Sequence, residues 1–180
     1  DHPDLAANIK GGINILTGGV SPADWNDECV SSSGSVGHGT QVAGNIAALN
    51  NGIGIVGVAP EASLYAVKVT SGKDCPAATS DFISGIYWAA QNGMQVANLS
   101  LGQNLSAHPF WLNEEKKAVD YAYQRGVVLV ASSGNYGADG PGVVHPAAFE
   151  SVIAVGATVP DDSIASFSSY GPEVDLVAPG

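Results

Sequence analysis

Short apolar runs of strand length alternate along this chain with longer segments of helical periodicity. The strand candidates are residues 12–16, 64–69, 95–100, 127–131 and 152–156, and helical patterns begin near Ser80 and at Pro109. Such alternation is typical of an α/β fold with a mostly parallel sheet, because parallel strands need a crossover connection that is usually a helix. The runs at 95–100 and 127–131 are apolar enough to predict strands that are buried on both faces.

Glycines mark the ends of the two long helical patterns. We expect the first helix to stop at Gly93 and the second, over 109–125, to stop at Gly126, because glycine is favoured just after a helix. Glu114 and Glu115 lie in the first half of the second helix, near the positive end of its dipole. Both helices are predicted to be scaffold.

A histidine between two glycines opens another helical segment. Val42, Ile46 and Leu49 recur at helical spacing after His38, which predicts a helix with one buried face and His38 in its first turn. At that position the imidazole would lie at the rim, where it could act as a base. The alternative is a structural or surface histidine, which is the commoner role of a single histidine.

An asparagine follows the apolar run at 127–131. Ser132-Ser133-Gly134-Asn135 stands at the carboxyl end of that strand, where open α/β sheets place their sites. The uncharged amide of Asn135 could donate to the oxyanion of a tetrahedral acyl-transfer intermediate. A turn asparagine that tolerates a left-handed backbone is the alternative interpretation.

The glycines at 52, 54 and 57 match the spacing of a dinucleotide-binding fingerprint, but their context excludes one. That fingerprint leaves a strand and opens a helix, whereas this segment leaves a helix and runs into Ala59-Pro60. Alternating glycines also permit a tight loop whose carbonyl groups turn inward onto a hard cation. An Asn-Gly helix stop without any ion is the alternative.

Charge and cysteine content exclude several classes of partner. Six basic residues against seventeen acidic ones give a net charge of −11, which disfavours binding to nucleic acid and to anionic membranes. No apolar run approaches the ~20 residues that a membrane span needs. The two cysteines, Cys29 and Cys75, are far apart and lack the spacing of a zinc site.

Taken together, these motifs resemble those of the subtilases, the subtilisin-like serine proteases, in the order in which that family has them. They are His2-Pro3-Asp4-Leu5, Gly37-His38-Gly39, Gly57-Val58-Ala59-Pro60, Leu64-Tyr65-Ala66-Val67-Lys68-Val69, Asn98-Leu99-Ser100-Leu101-Gly102, Ser133-Gly134-Asn135 and Ala178-Pro179-Gly180. The resemblance implies a three-layer α/β/α fold with a mostly parallel sheet, truncated at both ends. Residues 1–180 would then be one partial subtilase catalytic domain.

The resemblance also implies a Ser/His/Asp triad in which His38 is the base and Asn135 donates to the oxyanion. The family's aspartate precedes His-Pro-Asp-Leu and its serine follows Ala-Pro-Gly, so we expect both to lie outside these residues and the chain alone to be inactive. Ser100 and Ser133 do not occupy a Gly-x-Ser-x-Gly elbow and are not predicted to be nucleophiles.

The family's primary specificity pocket maps onto two segments of this chain. One wall would be Ser100, Leu101 and Gly102, and the other would be Ala131, Ser132, Ser133 and Gly134. Val144 falls where small residues commonly floor that pocket, which indicates a shallower pocket.

In subtilisins, the loop that matches 49–55 binds a structural calcium ion. The implied ligands are the carboxylate of Asp4, the side chain of Asn51 and the backbone oxygens of Leu49, Ile53 and Ile55. No organic cofactor is expected. The same resemblance makes Cys29 and Cys75 possible neighbours, and we hypothesise a disulfide between them.

The resemblance therefore implies a secreted, extracellular serine endopeptidase that acts on polypeptides and is a monomer when full length, with no nucleic-acid or membrane partner. A catalytically silent binding module on the same scaffold is the main alternative. It would bind peptides without turnover. A nucleotide-dependent α/β enzyme is supported only by the misplaced glycine pattern.

Overall fold

The structure, a computed structural model, describes residues 2–28, 37–72 and 74–180. The chain divides into two compact units, Asp1–Gly85 and Ile86–Gly180. Among the described residues, the named strands pair with one another in parallel, and helices separate most of the strands in sequence. The predicted α/β class with a mostly parallel sheet is confirmed. In the part of the chain described, no helix combines the length and apolar character needed to cross a bilayer.

The first unit contains a two-stranded sheet. Its elements are β1 (Ile9–Asn14), α1 (His38–Ala47), β2 (Leu64–Lys68) and the start of α2 (Thr79–Gln91), and β1 pairs with β2.

The predicted bounds of β1, residues 12–16, were wrong because a turn ends the strand at Asn14. The Oδ1 atom of Asn14 accepts a hydrogen bond from the Leu16 amide at 3.0 Å, and the Asn14 carbonyl accepts one from Gly18 at 2.7 Å. Such local hydrogen bonds compete with strand pairing.

Helix α1 begins at His38 as predicted, but it ends before Leu49. Ala48 is extended, with φ −60° and ψ 140°, and the buried residues of the helix are Gly44 and Ala47. The following loop satisfies the last carbonyl groups of the helix. The amide of Val58 donates to the Asn45 carbonyl at 3.0 Å. Backbone donors thus satisfy acceptors at the helix end.

The second unit is built on a four-stranded parallel sheet in the order β3, β4, β5, β6. Its elements are β3 (Val96–Leu99), α3 (Pro109–Gln124), β4 (Val128–Ser132), β5 (Val152–Thr158) and β6 (Leu176–Pro179). Strand β6 was not predicted. Gly93 and Gly126 follow α2 and α3 with φ of 71° and 80°, so both predicted helix stops are confirmed.

The prediction that β3 and β4 are buried on both faces was wrong for the described residues. Leu129 and Ala131 are 1% and 2% exposed, whereas Val128 is 45% and Val96 is 60% exposed. Successive side chains of a strand face opposite sides of the sheet. Helix α3 packs on β4, and one set of alternating side chains is therefore covered while the other is not.

Candidate functional site

His38 is the first residue of α1, and its side chain is exposed. The residue before it, Gly37, is buried and has φ 84° and ψ 42°, a left-handed conformation that glycine adopts without the steric cost of a Cβ atom. Gly37 has no side chain with which to cap the helix. The backbone therefore turns sharply into α1 and presents the imidazole of His38 at its first turn.

The carboxylate of Asp27 caps this helix from outside it. Its Oδ2 atom accepts hydrogen bonds from the Thr40 backbone amide at 2.7 Å and from the Thr40 hydroxyl at 2.9 Å. A Cβ atom on Gly39 would lie 3.3 Å from the same oxygen. A negative charge here also complements the positive end of the helix dipole. This role of Asp27 was not predicted, because nothing in the residues around it indicates that it would cap a helix beginning at His38.

Asn135 follows β4 in the second unit, and its side chain is exposed. Hydrogen bonds hold the chain on both sides of it. The Ser169 amide donates to the Gly134 carbonyl at 2.8 Å, and the Gly137 amide donates to the Phe167 carbonyl at 2.8 Å. The side-chain amide of Asn135 is therefore accessible, and the backbone that carries it is held in place on both sides.

The two predicted pocket walls come together in the second unit because β3 and β4 are neighbours, with Leu99 opposite Ala131. The predicted wall residues differ in burial: Ser100, Leu101, Ser132 and Gly134 are half-buried, Gly102 is exposed, and Ala131 and Ser133 are buried. Ser133 is 1% exposed, and its hydroxyl donates to the Ser169 carbonyl at 2.8 Å. That hydroxyl is committed to a structural hydrogen bond.

Val144 lies between the two walls. A Cβ atom on Gly102 would lie 2.5 Å from one Val144 methyl group. A Cβ atom on Gly134 would lie 3.1 and 3.2 Å from the two Val144 methyl groups. Gly134 also has φ 113°, which side chains rarely adopt. The Val144 amide donates to the Ser133 carbonyl at 3.0 Å, so backbone and side chain are both fixed.

A polar pair, formed by the half-buried Gln103 and the buried Glu115, lies next to the first wall. Gln103 pairs with His145 through two backbone hydrogen bonds, of 2.9 and 3.0 Å, and its side-chain amide donates to Glu115 Oε2 at a long 3.5 Å. Glu115 is fully buried on α3, and its Oε1 atom has no partner among the described residues. Glu114 and Glu115 lie in the first half of α3 as predicted, although its first turn, where the dipole acts most strongly, carries no acidic residue.

Burial raises the pKa of Glu115 from its usual 4.5 to about 7, and the hydrogen bond from Gln103 opposes only part of that rise. A carboxyl group with a raised pKa in the folded state stabilises the fold at low pH. That contribution is lost as pH rises from about 4.5 towards 7. A sequence signal did exist, since Glu115 forms one helical stripe with the buried Ala118, Val119 and Ala122.

The one predicted calcium ligand with a carboxylate, Asp4, is buried in the first unit. Asp4 is 2% exposed, its Oδ2 atom accepts a hydrogen bond from the Ile55 amide at 3.2 Å, and its Oδ1 atom has no partner among the described residues. A Cβ atom on Gly54 would overlap Oδ2. An unpaired buried carboxylate oxygen in a glycine loop fits a cation, because burying such a charge uncompensated is costly.

The remaining predicted ligands offer oxygen atoms in the same loop. Asn51 Oδ1 accepts one hydrogen bond, from the Ile53 amide at 3.1 Å, and so keeps a lone pair. Within the described ranges, the carbonyl groups of Leu49, Ile53 and Ile55 accept no backbone hydrogen bond. Carboxylate, amide and carbonyl oxygens are the donors that calcium prefers.

Cys75 is disulfide-bonded. The pairing that we hypothesised also involves Cys29, which lies outside the described residues.

Comparison with known proteins agrees with the motifs. The sequence model of the Subtilase family matches residues 1–180. The chain belongs to the subtilase family. It is 50% identical over 179 residues to "Subtilisin BL" and 49% identical to "Subtilisin Savinase", both of Lederbergia lenta, which covers 99% of this chain and 59% of each relative. It is also 43% identical over its whole length to "Alkaline elastase YaB" of Bacillus sp. (strain YaB), where it covers 42% of the relative.

The subtilase resemblance predicted from the motifs is therefore confirmed. The chain spans about 59% of the length of the first two of these subtilases.

Replacing Asp27 tests its role in this subtilase. Asp27→Ala removes both hydrogen bonds to Thr40 and should lower the free energy of unfolding by about 1–2 kcal/mol, the usual cost of losing a helix cap. Asp27→Asn keeps an oxygen acceptor and should cost less. Urea denaturation of the full-length protein measures both. Asp139→Ala, at an exposed aspartate, is the control, and equal stability of Asp27→Ala and this control would disprove the cap.

Proposed function

We propose that the full-length protein is a serine endopeptidase that hydrolyses polypeptides with His38 as its general base. The observation that supports this best is the exposed imidazole on the first turn of α1, in a chain about half identical to subtilisins. "Alkaline protease" is the name of further relatives at 49% identity.

In the proposed mechanism, His38 takes the proton of a serine hydroxyl as that oxygen attacks a peptide carbonyl, and then returns it to the leaving amine. The exposed amide of Asn135 donates to the oxyanion that forms. Since the chain spans only part of its relatives, the serine and the aspartate would come from the rest of the protein. The hydroxyl of the buried Ser133 already donates a hydrogen bond to the Ser169 carbonyl, which supports the view that Ser133 is not the nucleophile.

This proposal predicts that the full-length protein hydrolyses peptides and is labelled on a serine by a fluorophosphonate. His38→Ala should lower kcat by about 10³-fold or more, since triad members act as a unit. Asn135→Ala should lower kcat by about 10²–10³-fold, the magnitude known for the oxyanion asparagine of a subtilisin. His108→Ala, at another exposed histidine, is the control. Peptide binding with neither turnover nor labelling would favour the silent binding module instead.

We infer further that the primary pocket accepts small side chains. What supports this is Val144, whose methyl groups lie close to both glycine backbones at the predicted walls. A branched side chain there takes the volume that a large substrate residue would need.

Val144→Gly should therefore raise kcat/KM for a substrate with phenylalanine before the scissile bond, relative to alanine, by about tenfold or more. Val144→Ala should give an intermediate ratio. Steady-state kinetics on the paired substrates measures the change. An unchanged ratio across the three proteins would show that Val144 does not limit the pocket.

We also propose that Asp4, Asn51 and the carbonyl groups of Leu49, Ile53 and Ile55 hold a structural calcium ion. When bound, the ion would supply charge compensation for the buried Asp4 carboxylate. The proposed role is in stability and not in the reaction.

Chelation should lower the Tm of the full-length protein, because an ion at about 100 times its Kd stabilises the fold by about 2.7 kcal/mol. Asp4→Asn should have a lower Tm that no longer responds to calcium or chelator. Asp139→Asn should respond like the unmodified protein. A calcium response retained in Asp4→Asn would place the ion elsewhere.

An extracellular location and a monomeric state are the remaining parts of the proposal. The proposal also includes no nucleic-acid or membrane partner. The net charge of −11 supports this last part, because it disfavours binding to nucleic acid and to anionic membrane surfaces.

A further inference from the structure

Glu115 occupies a position that an apolar residue would normally fill. It is fully buried in the stripe that α3 packs inward, together with Ala118, Val119 and Ala122. Carboxylates are almost never fully buried unless they are paired. The only hydrogen bond of this carboxyl group among the described residues is the long one from Gln103. Packing alone does not explain a carboxyl group at this position.

Gln103 connects Glu115 to the predicted substrate-binding wall. It directly follows Gly102, and its backbone amide and carbonyl both bond to His145. His145 in turn follows Val144, whose side chain lies against Gly102. The Gln103 side chain therefore links Glu115 to a backbone segment that borders both the wall and Val144.

We propose that Glu115 is a positioning residue for the substrate-binding segment 100–103, acting through the side chain of Gln103. This inference rests on the proposed peptidase function. In its neutral form the carboxyl group fits the apolar stripe, and the segment stays packed against α3. Ionisation leaves a buried charge with one distant donor, and the cost is relieved when the segment shifts or water enters. Substrate affinity should therefore fall as Glu115 loses its proton.

The ionisable side chains next to Glu115 on α3 are paired with one another. On α3, Lys117 pairs with Glu114 at 2.6 Å and Lys116 with Asp120 at 2.7 Å, with their side chains at least 35% exposed. Strand β4, on which α3 packs, carries no ionisable side chain.

His145, which pairs with Gln103 through two backbone hydrogen bonds, is the other ionisable group to consider. Its pKa is lowered chiefly by burial, with a smaller opposing effect of its backbone hydrogen bond to Gln103 and of Glu173. His145 is the competing source of a pH effect, and the experiment includes a variant of it.

The test compares the full-length protein with Glu115→Gln, which keeps the shape and the hydrogen-bonding capacity but cannot ionise. KM and kcat for one peptide substrate are measured from about pH 5.5 to 9, a range that spans the titration of Glu115. In the unmodified protein, KM should rise by about fivefold with pH, the scale of one weakened hydrogen bond. In Glu115→Gln, KM should stay at every pH near the value that the unmodified protein has at low pH. The ratio of the KM values of the two proteins cancels the pH effects of the ionisable groups that both contain.

Control variants separate positioning from general packing. Glu114→Gln changes the neighbouring glutamate, which is half-buried and paired with Lys117, and should reproduce the unmodified profile. Glu115→Leu should also lose the pH dependence of KM. Profiles of Glu115→Gln and the unmodified protein that superimpose would overturn the proposal. A dependence that survives in Glu115→Gln and disappears in His145→Gln would overturn it too, and would assign the effect to His145.

Hydrogen exchange tests the same proposal without requiring activity. The amides of Gln103 and His145 should lose protection as pH rises in the unmodified protein and keep it in Glu115→Gln, after correction for intrinsic exchange. Equal behaviour of both proteins would overturn the positioning role. A protein that shows the expected exchange but neither hydrolyses peptides nor reacts with a fluorophosphonate would contradict the peptidase function alone.

Discussion

The parallel pairing of β3 with β4 determines where the features of the second unit lie. With Leu99 opposite Ala131, the two strands end side by side, and the segments that leave them begin at the same edge of the sheet. Sites in open α/β sheets lie at such edges because the connecting loops there are free to vary while the strands stay fixed. The glycine at 102, the asparagine at 135 and Val144 between them all depend on that register.

Two carboxylates of this acidic chain are buried in different surroundings, and burial disfavours the charged form of each. Asp4 and Glu115 are each almost fully buried, and each has one oxygen without a partner among the described residues. Asp4 accepts one hydrogen bond from the Ile55 amide and lies against Gly54, and a cation is the counter-charge that we propose for it. Around Glu115 there is an apolar helix stripe with one amide, so a proton is what neutralises the group.

The elements set by local sequence were predictable, and those set by tertiary context were not. The helix stops at Gly93 and Gly126 follow from backbone preferences of single residues. The exposure of Val96 and Val128 depends on what covers each face of the sheet, which an apolar run does not encode. In the candidate site, motifs located His38 and Asn135. Asp27 and Gln103 act through partners distant in sequence, and no local pattern identifies such pairs.

The close approach of Val144 to the backbone at 102 and 134 also limits how this protein can diversify. A side chain at position 134 would combine an unfavourable φ with a collision against the valine, and one at 102 would meet the same methyl group. Neither glycine can change by itself without displacing its neighbours. Natural variation in side-chain size at this point of the fold would therefore accumulate at position 144, with the two glycines held constant by sterics.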